Sequence, residues 1–249
     1  MQDRILEIRN ISKKYHNANK EIKAIENLSF EIYKDEILAI VGPSGCGKST
    51  LLSIISGLEE QSEGQITIND NCQIGYMLQT DCLFPWLTIF ENTLIGLEIT
   101  KQKNKENIQK VENLLKKYGL EEFKNQYPDN LSGGMRQRVA LIRTLATNPD
   151  LILLDEPCSA LDYQTKLILS DDLYKIIKKE QKTAIIITHD IAEAISMADR
   201  IIVLTKRPCT IKNIYQVKLD RKSTPIENRK DSQFNNYFDL IWRDLDAHF

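Results

Sequence analysis

The stretch Gly42-Pro43-Ser44-Gly45-Cys46-Gly47-Lys48-Ser49-Thr50 has the spacing G-x-x-x-x-G-K-[ST]. Glycines at these places let the backbone wrap an anion so that several N–H groups point inward. A helix that starts directly afterwards adds its positive end. Lys48 brings a compact charge to terminal phosphates, and the Ser49 hydroxyl is placed to ligate Mg²⁺. The flanks agree, because the apolar run Ile37-Leu38-Ala39-Ile40-Val41 reads as a strand and Leu51-Leu52-Ser53-Ile54-Ile55 as a helix. A plain glycine-rich turn would need neither the lysine nor the hydroxyl. The chemistry predicted is the binding of ATP or GTP.

Other polar residues stand where that chemistry needs them. The apolar run Leu151-Ile152-Leu153-Leu154 ends in Asp155 and Glu156. At the C-terminal edge of a doubly wound sheet these carboxylates would lie beside the phosphate loop. Asp155 is suited to hold Mg²⁺ through water, and Glu156 to orient or deprotonate the attacking water; acidic capping of the following helix is the bland alternative. His189 follows the run Ala184-Ile185-Ile186-Ile187 and is a candidate contact for the γ-phosphate or the water. Gln79 has the same placement and could touch Mg²⁺ or the water. In Leu131-Ser132-Gly133-Gly134-Met135, Ser132 can cap a helix running from about Met135 to Ala146. The two glycines bare backbone amides there, which makes a second anion site at a helix N-terminus. A single triphosphate does not need two.

Strands and helices must bring these residues together. Alternation of Ile5, Glu7, Arg9 and Ile11 against Leu6, Ile8 and Asn10, and again through Ile25, Leu28, Phe30 and Ile32, predicts an antiparallel group beside the nucleotide-binding strand. Tyr15 falls in the polar stretch between them, expected to be a loop, as either a packing aromatic or a platform for a purine ring. The helix from Ser49 closes at Gly57. Strands 64–68 and 73–78 follow, divided by the turn Asn69-Asp70-Asn71. From Thr80 to about Asn148 the character is helical. Thr88 and Glu91 have capping-box spacing, 101–110 is charged, and Val111, Leu114, Leu115 and Tyr118 recur helically up to Gly119. Runs 151–154 and 184–187 suit parallel strands buried on both faces. Leu167, Leu169, Leu173, Ile176 and Ile177 mark the crossover helix between them, and helix 191–197 precedes a strand at 200–204. Beyond Lys206 the chain is polar and carries no clear assignment before the aromatic-rich 234–242.

Composition excludes several classes. Lys plus Arg (33) nearly balances Asp plus Glu (35), so the net charge of −2 forces no basic face for nucleic acid. The 5 cysteines show neither CxxC nor zinc spacing, which predicts free thiols in a reducing compartment. No apolar signal core follows Met1, and the apolar runs fall far short of the ~18 residues that span a bilayer. The expectation is a cytosolic protein that meets a membrane only through a partner.

In order along the chain, GPSGCGKST (42–50), Gln79, LSGGM (131–135), LILLDEP (151–157), SALD (159–162) and THD (188–190) resemble the ATP-binding cassette (ABC) family, nearly to residue 206. The resemblance implies an α/β fold: the P-loop NTPase core of an ABC ATPase, a mixed sheet with antiparallel N-terminal strands, plus an inserted helical subdomain. It implies one ABC ATP-binding domain over 1–249, with core 1–80 and 149–206, helical subdomain 81–148 and C-terminal tail 207–249. Two copies would sandwich two ATPs head to tail, so that Ser132, Gly133 and Gly134 reach the ATP on the partner's phosphate loop. That gives the second anion site a purpose. Tyr15 matches the adenine-stacking aromatic and Asp162 the residue linking the two sites. Glu156, His189 and Gln79 become the catalytic group, and Ser49, Gln79 and Asp155 the Mg²⁺ group.

Met135 stands where the family usually has Gln. LSGGM resembles the nitrate, sulfonate and taurine importer branch, as do 81–86, Glu91-Asn92, Lys206-Arg207-Pro208 and the tail 234–245. In the family the region after Gln79 receives the coupling helix of a membrane subunit, so Phe84, Pro85 and Trp86 are either an interface or ordinary core and turn residues. The function implied is an ATP-hydrolysing subunit, peripheral on the cytoplasmic face of the cell membrane. It would serve a permease and, indirectly, a solute-binding protein, with no nucleic acid partner. The alternative is a soluble ABC ATPase acting on DNA, ribosomes or cofactor assembly, for which long coiled-coil insertions, duplicated cassettes or a basic face would be expected. A catalytically dead regulator would lack the intact Glu156 and His189.

Overall fold

The structure is a computed structural model that describes residues 3–17, 20–70, 72–158, 162–219 and 223–246. The chain begins with β1 (Arg4–Asn17), β2 (Lys20–Tyr33), β3 (Ile37–Val41), α1 (Lys48–Ile55), β4 (Glu63–Ile68) and β5 (Ile74–Met77). A helical layer follows, made of α2 (Ile89–Ile99), α3 (Lys105–Lys117) and α4 (Gly133–Ala146). The chain then runs through β6 (Leu151–Asp155), α5 (Tyr163–Lys179), β7 (Thr183–Ile187), α6 (Ile191–Met197), β8 (Arg200–Leu204) and β9 (Ile211–Gln216). It ends with α7 (Pro225–Asn228) and α8 (Phe234–Asp246).

Two sheets result. The antiparallel one has order β2-β1-β4, and the 6-stranded one has order β5-β6-β7-β3-β8-β9. All neighbours in the second are parallel except β8 and β9, so the sheet is mixed. Strands β3, β6 and β7 are buried throughout, as their continuous apolar runs require. The strand period of two divides their side chains between two cores. Leu38, Ile40, Leu153 and Ile185 pack with α1 and the antiparallel sheet, while Ala39, Val41, Ile152 and Ile186 pack with α5 and α6.

Helices α2, α3 and α4 share a separate core of Ile89, Leu94, Leu97, Val111, Leu115, Val139 and Ile142. Thr88 caps α2 with the reciprocal Glu91 contacts that its spacing predicts. Among the described residues, no helix is long and apolar enough to cross a membrane.

One local expectation is corrected and two are extended. Tyr15 lies in β1, not in a loop, because register shifts let that strand keep pairing with β2 as far as Asn17. The two strands expected at 64–68 and 73–78 run over 63–68 and 74–77 and enter different sheets: the first joins the antiparallel sheet, and the second pairs with β6 at the edge of the other. The tail, which the sequence leaves unassigned, is folded against the core. Strand β9 extends the main sheet, and Phe234 and Ile241 of α8 are buried in the larger core.

Candidate functional site

Parallel pairing places the C-terminal ends of β3, β5, β6, β7 and β8 along one edge of the sheet. Past those ends come, in turn, the 42–50 loop, Gln79, Asp155 with Glu156, His189 and Arg207. A cavity of about 430 Å³ lies there, lined by Ser44, Gly45, Gly47, Lys48, Ser49, Thr50, Gln79, Glu156, His189 and Arg207, with Asp155 outside its lining. A larger groove of about 750 Å³ beside Lys117, Tyr118, Arg138 and Lys175 holds none of the predicted residues. The predicted residues gather at the smaller, more polar cavity.

The loop needs its glycines. Gly45 has φ of +71° and Gly47 of +129°, and a Cβ on Gly47 would also meet the Ala24 carbonyl at 3.2 Å. Helix α1 starts at Lys48, so its first N–H groups face the loop. The Lys48 ammonium, on a residue only 6% exposed overall, arches over the loop and donates to the Gly42 and Pro43 carbonyls, each at 2.9 Å. A buried cation above a ring of amides fits a polyphosphate.

Beside the loop, Asp155 is 4% exposed, and its Oδ1 has no hydrogen-bond partner among the described residues. Burial raises its pKa; the Ser49 hydroxyl opposes this, the neighbouring Glu156 adds to it, and Lys48 opposes it, with burial prevailing. A buried carboxylate oxygen with no donor, next to a hydroxyl, is a chemical fit for a divalent cation.

Glu156 follows with φ of +47°, a region that residues with a Cβ rarely adopt, and its N–H donates to the Ile187 carbonyl at 2.9 Å. This turn out of the strand brings its carboxylate between two of the other predicted residues. Its Oε2 lies 3.1 Å from Nδ1 of His189 and 3.4 Å from Nε2 of Gln79. When ionised, Glu156 can only accept, so the proton of the first contact resides on Nδ1.

The other predicted residues lie apart from this group. Ser132 accepts from the Met135 N–H at the start of α4, and Gly133 and Gly134 occupy the first turn, but none of the three lines the cavity. Asp162 caps α5 through the Gln164 and Thr165 amides, each at 3.1 Å, and is also outside it. Residues 159–161 of the SALD stretch lie outside the described residues. The Tyr15 hydroxyl donates to Glu59 at 2.7 Å and lies 3.3 Å from the Thr50 hydroxyl, which fixes the ring at the foot of α1. Pro43 belongs to a neighbouring 210 Å³ cavity that it shares with Trp242 and Leu245 of α8. Cys46 is buried behind the loop, where the Cys209 thiol hydrogen-bonds to it.

Arg207 is the cavity residue that the motifs do not reveal. Its one sequence signal is the short Lys206-Arg207-Pro208 stretch, and it takes the parallel pairing of β8 with β3 to bring it to the loop.

The family described as ABC transporter matches residues 25–159. The ABC transporter ATP-binding protein YtlC of Bacillus subtilis (strain 168), itself uncharacterized, is 43% identical over 97% of this chain and 96% of its own. The formylaminopyrimidine import ATP-binding protein ThiZ of Halalkalibacterium halodurans is 44% identical over 74% of each chain. The aliphatic sulfonates import ATP-binding protein SsuB of Bacillus cereus is 38% identical over 85% of this chain and 86% of its own. Among solved structures, the ATP-binding cassette MJ0796, a dimer in a post-hydrolysis state bound to ADP and Pi, superposes with a TM-score of 0.76. It is 35% identical and covers 86% of this chain and 99% of its own.

Proposed function

The chain belongs to the ABC transporter family as an ATP-hydrolysing cassette, and from that premise we propose that it drives a membrane importer for a small solute of the nitrate, sulfonate or taurine kind. The observation that carries this reading is the continuity of the chain from the cavity to an exposed aromatic pair. Gln79 lines the cavity, and just beyond it Phe84 and Trp86 stand with ring centroids 5.2 Å apart, Trp86 at 69% exposure. The intervening loop is braced rather than loose. Buried Asn92 donates to the Phe84 and Leu87 carbonyls, and Arg143 of α4 donates to those of Asp81 and Cys82. A membrane subunit pressing on the pair would thus be linked mechanically to both Gln79 and α4.

In this proposal the 42–50 loop and Lys48 hold the phosphates of ATP, and Tyr15 lies under the base. Ser49, Asp155 and Gln79 would hold Mg²⁺, which when bound offsets the charge of the phosphates. Glu156 takes the proton of the attacking water, oriented by His189 and Gln79. Ser132, Gly133 and Gly134, which lie away from their own cavity, serve the phosphates on a second copy, with Asp162 at the junction. The division into core 1–80 and 149–206, helical subdomain 81–148 and tail 207–249 belongs to the same proposal. So does a position on the cytoplasmic face of the membrane through the permease, with a solute-binding protein on the far side.

Purification from membranes in mild detergent tests it. A permease subunit is expected to accompany the chain, and its solute-binding protein would identify the solute by direct binding assays with sulfonates and formylaminopyrimidines. An ATPase recovered free of any membrane subunit would overturn the importer reading.

A further inference from the structure

The turn at 205–210 is held on both sides. Thr205 and Thr210 close it through the Thr205 N–H to Thr210 carbonyl bond of 3.0 Å and the Thr210 N–H to Thr205 Oγ1 bond of 2.9 Å. Its far end is tied to β2, where the Cys209 N–H donates to the Ala24 carbonyl at 2.9 Å and the Cys209 carbonyl accepts from Glu26 at 3.0 Å. The residue presented by this braced turn is Arg207. Its Nη2 donates to the Gly45 carbonyl at the tip of the phosphate loop, 2.6 Å away. A guanidinium has five N–H donors in a rigid fork, so one carbonyl leaves others for a ligand in the cavity that Arg207 lines.

Its position along that cavity is informative. Lys48, Ser49, Glu156 and His189, the residues suited to the terminal phosphates, line the same cavity. Arg207 comes from the turn tied to Ala24 and Glu26 of β2, the strand whose Ile22 pairs with Tyr15, and it lines the cavity together with Thr50, whose hydroxyl lies 3.3 Å from that of Tyr15. A cation at the loop tip, on a turn tied to the strand that pairs with Tyr15, suits the middle of a nucleotide whose phosphates lie on the loop and whose base lies toward Tyr15.

We propose that Arg207 is a nucleotide-binding residue that recognises the ribose hydroxyls, so that it discriminates a nucleoside polyphosphate from a bare polyphosphate. This deepens the ATP-site reading and rests on it. An arginine fork suits two adjacent acceptors, and a charge-assisted hydrogen bond in a partly enclosed site is among the stronger polar contacts.

Calorimetric titration of the full chain with ADP and, separately, with inorganic tripolyphosphate, both with Mg²⁺, tests this. For Arg207→Ala, ADP affinity is expected to fall about tenfold, with tripolyphosphate affinity changed less than about twofold. Arg207→Lys should recover part of the ADP loss, since it restores charge without the fork. Equal losses for both ligands would overturn the proposal, because Arg207 would then only brace the loop through Gly45. Unchanged ADP affinity in both variants would also overturn it. Wild-type protein that binds neither ligand would instead refute the ATP-site reading beneath it.

Discussion

Glu156 Oε2 and His189 Nδ1 are 3.1 Å apart although they come from different strands, and the left-handed backbone at Glu156 is what aims the carboxylate at the ring. In the proposed mechanism two groups that touch this closely act on one water as a unit. Glu156→Gln keeps the shape but cannot take a proton, so ATP turnover should fall on the order of a hundredfold or more. ATP-dependent dimerisation should survive, since nothing that holds phosphate is removed. His189→Ala should lower kcat with little change in ATP affinity. The double variant should be hardly worse than Glu156→Gln alone. Steady-state kinetics on the four proteins check this, and multiplicative losses would show that the two residues act independently.

Gly134 offers a test of the second copy. It sits in the first turn of α4, outside the cavity of its own chain. Gly134→Asp would add a carboxylate facing the partner's phosphates while leaving the 42–50 loop intact. ADP binding by the monomer should match wild type, whereas ATP-dependent dimerisation and turnover should be lost. Light scattering with and without ATP reads the difference, and a dimer that still forms would remove the trans contact from the proposal.

The elements that carry chemistry are legible in the sequence because their signals are local. The 42–50 spacing, the buried runs of β3, β6 and β7, and the Thr88 and Ser132 caps all depend on neighbours within a few residues. What escapes depends on partners far away in sequence. Nothing near Arg207 says that β8 lies beside β3, and nothing in 211–216 says that it pairs antiparallel with β8. Tyr15 reads as loop because irregular register, not clean alternation, carries β1 past Ser12. The strand at 63–68 is legible as a strand, but its partner, β1, is not, because it lies far upstream.

Asp155 should oppose stability in the ligand-free protein. Its pKa is raised by burial, so the folded state binds a proton more tightly than the unfolded chain does. That favours folding at low pH and is lost as pH rises through the raised value, leaving an unfavourable buried charge near neutrality. Asp155→Asn should therefore raise the melting temperature of the apo protein at about pH 7, with a gain that shrinks as pH falls. The same variant should lose Mg²⁺-dependent turnover. Melting curves from about pH 4 to 8 follow the trend, and a lower melting temperature for Asp155→Asn near neutrality would contradict it.

Trp86 is exposed, while buried Asn92 holds the loop, so the two can be separated experimentally. Trp86→Ala should leave ATP turnover of the isolated subunit within about twofold, as surface substitutions usually do, but should weaken retention of the permease. Asn92→Ala should instead destabilise the fold, because it strips carbonyl partners inside a buried turn. Detergent co-purification scored beside melting temperature distinguishes the outcomes. Undiminished permease retention by Trp86→Ala would move the interface elsewhere.

Cys46 supplies a chemical probe of the loop. A hydrogen bond from the Cys209 thiol is the main influence lowering its pKa; burial opposes this and the Lys48 charge assists, whereas the Cys209 thiol is driven upward by the same contact. The thiolate is the nucleophile, so Cys46 should react with N-ethylmaleimide near neutral pH, faster as pH rises, and ahead of Cys158, whose burial raises its pKa strongly. The adduct cannot fit behind a loop packed this closely, since a Cβ on Gly42 would already meet the Cys46 sulfur at 3.2 Å. Modification should therefore abolish ATP hydrolysis, and bound ATP should slow it by holding the loop closed. Cys46→Ser should keep activity and lose the sensitivity, which separates the effect from reaction at exposed Cys82. Peptide mapping alongside turnover decides the matter: full modification of Cys46 with activity retained would show that the loop tolerates displacement and that its packing against Cys209 is not needed to hold phosphate.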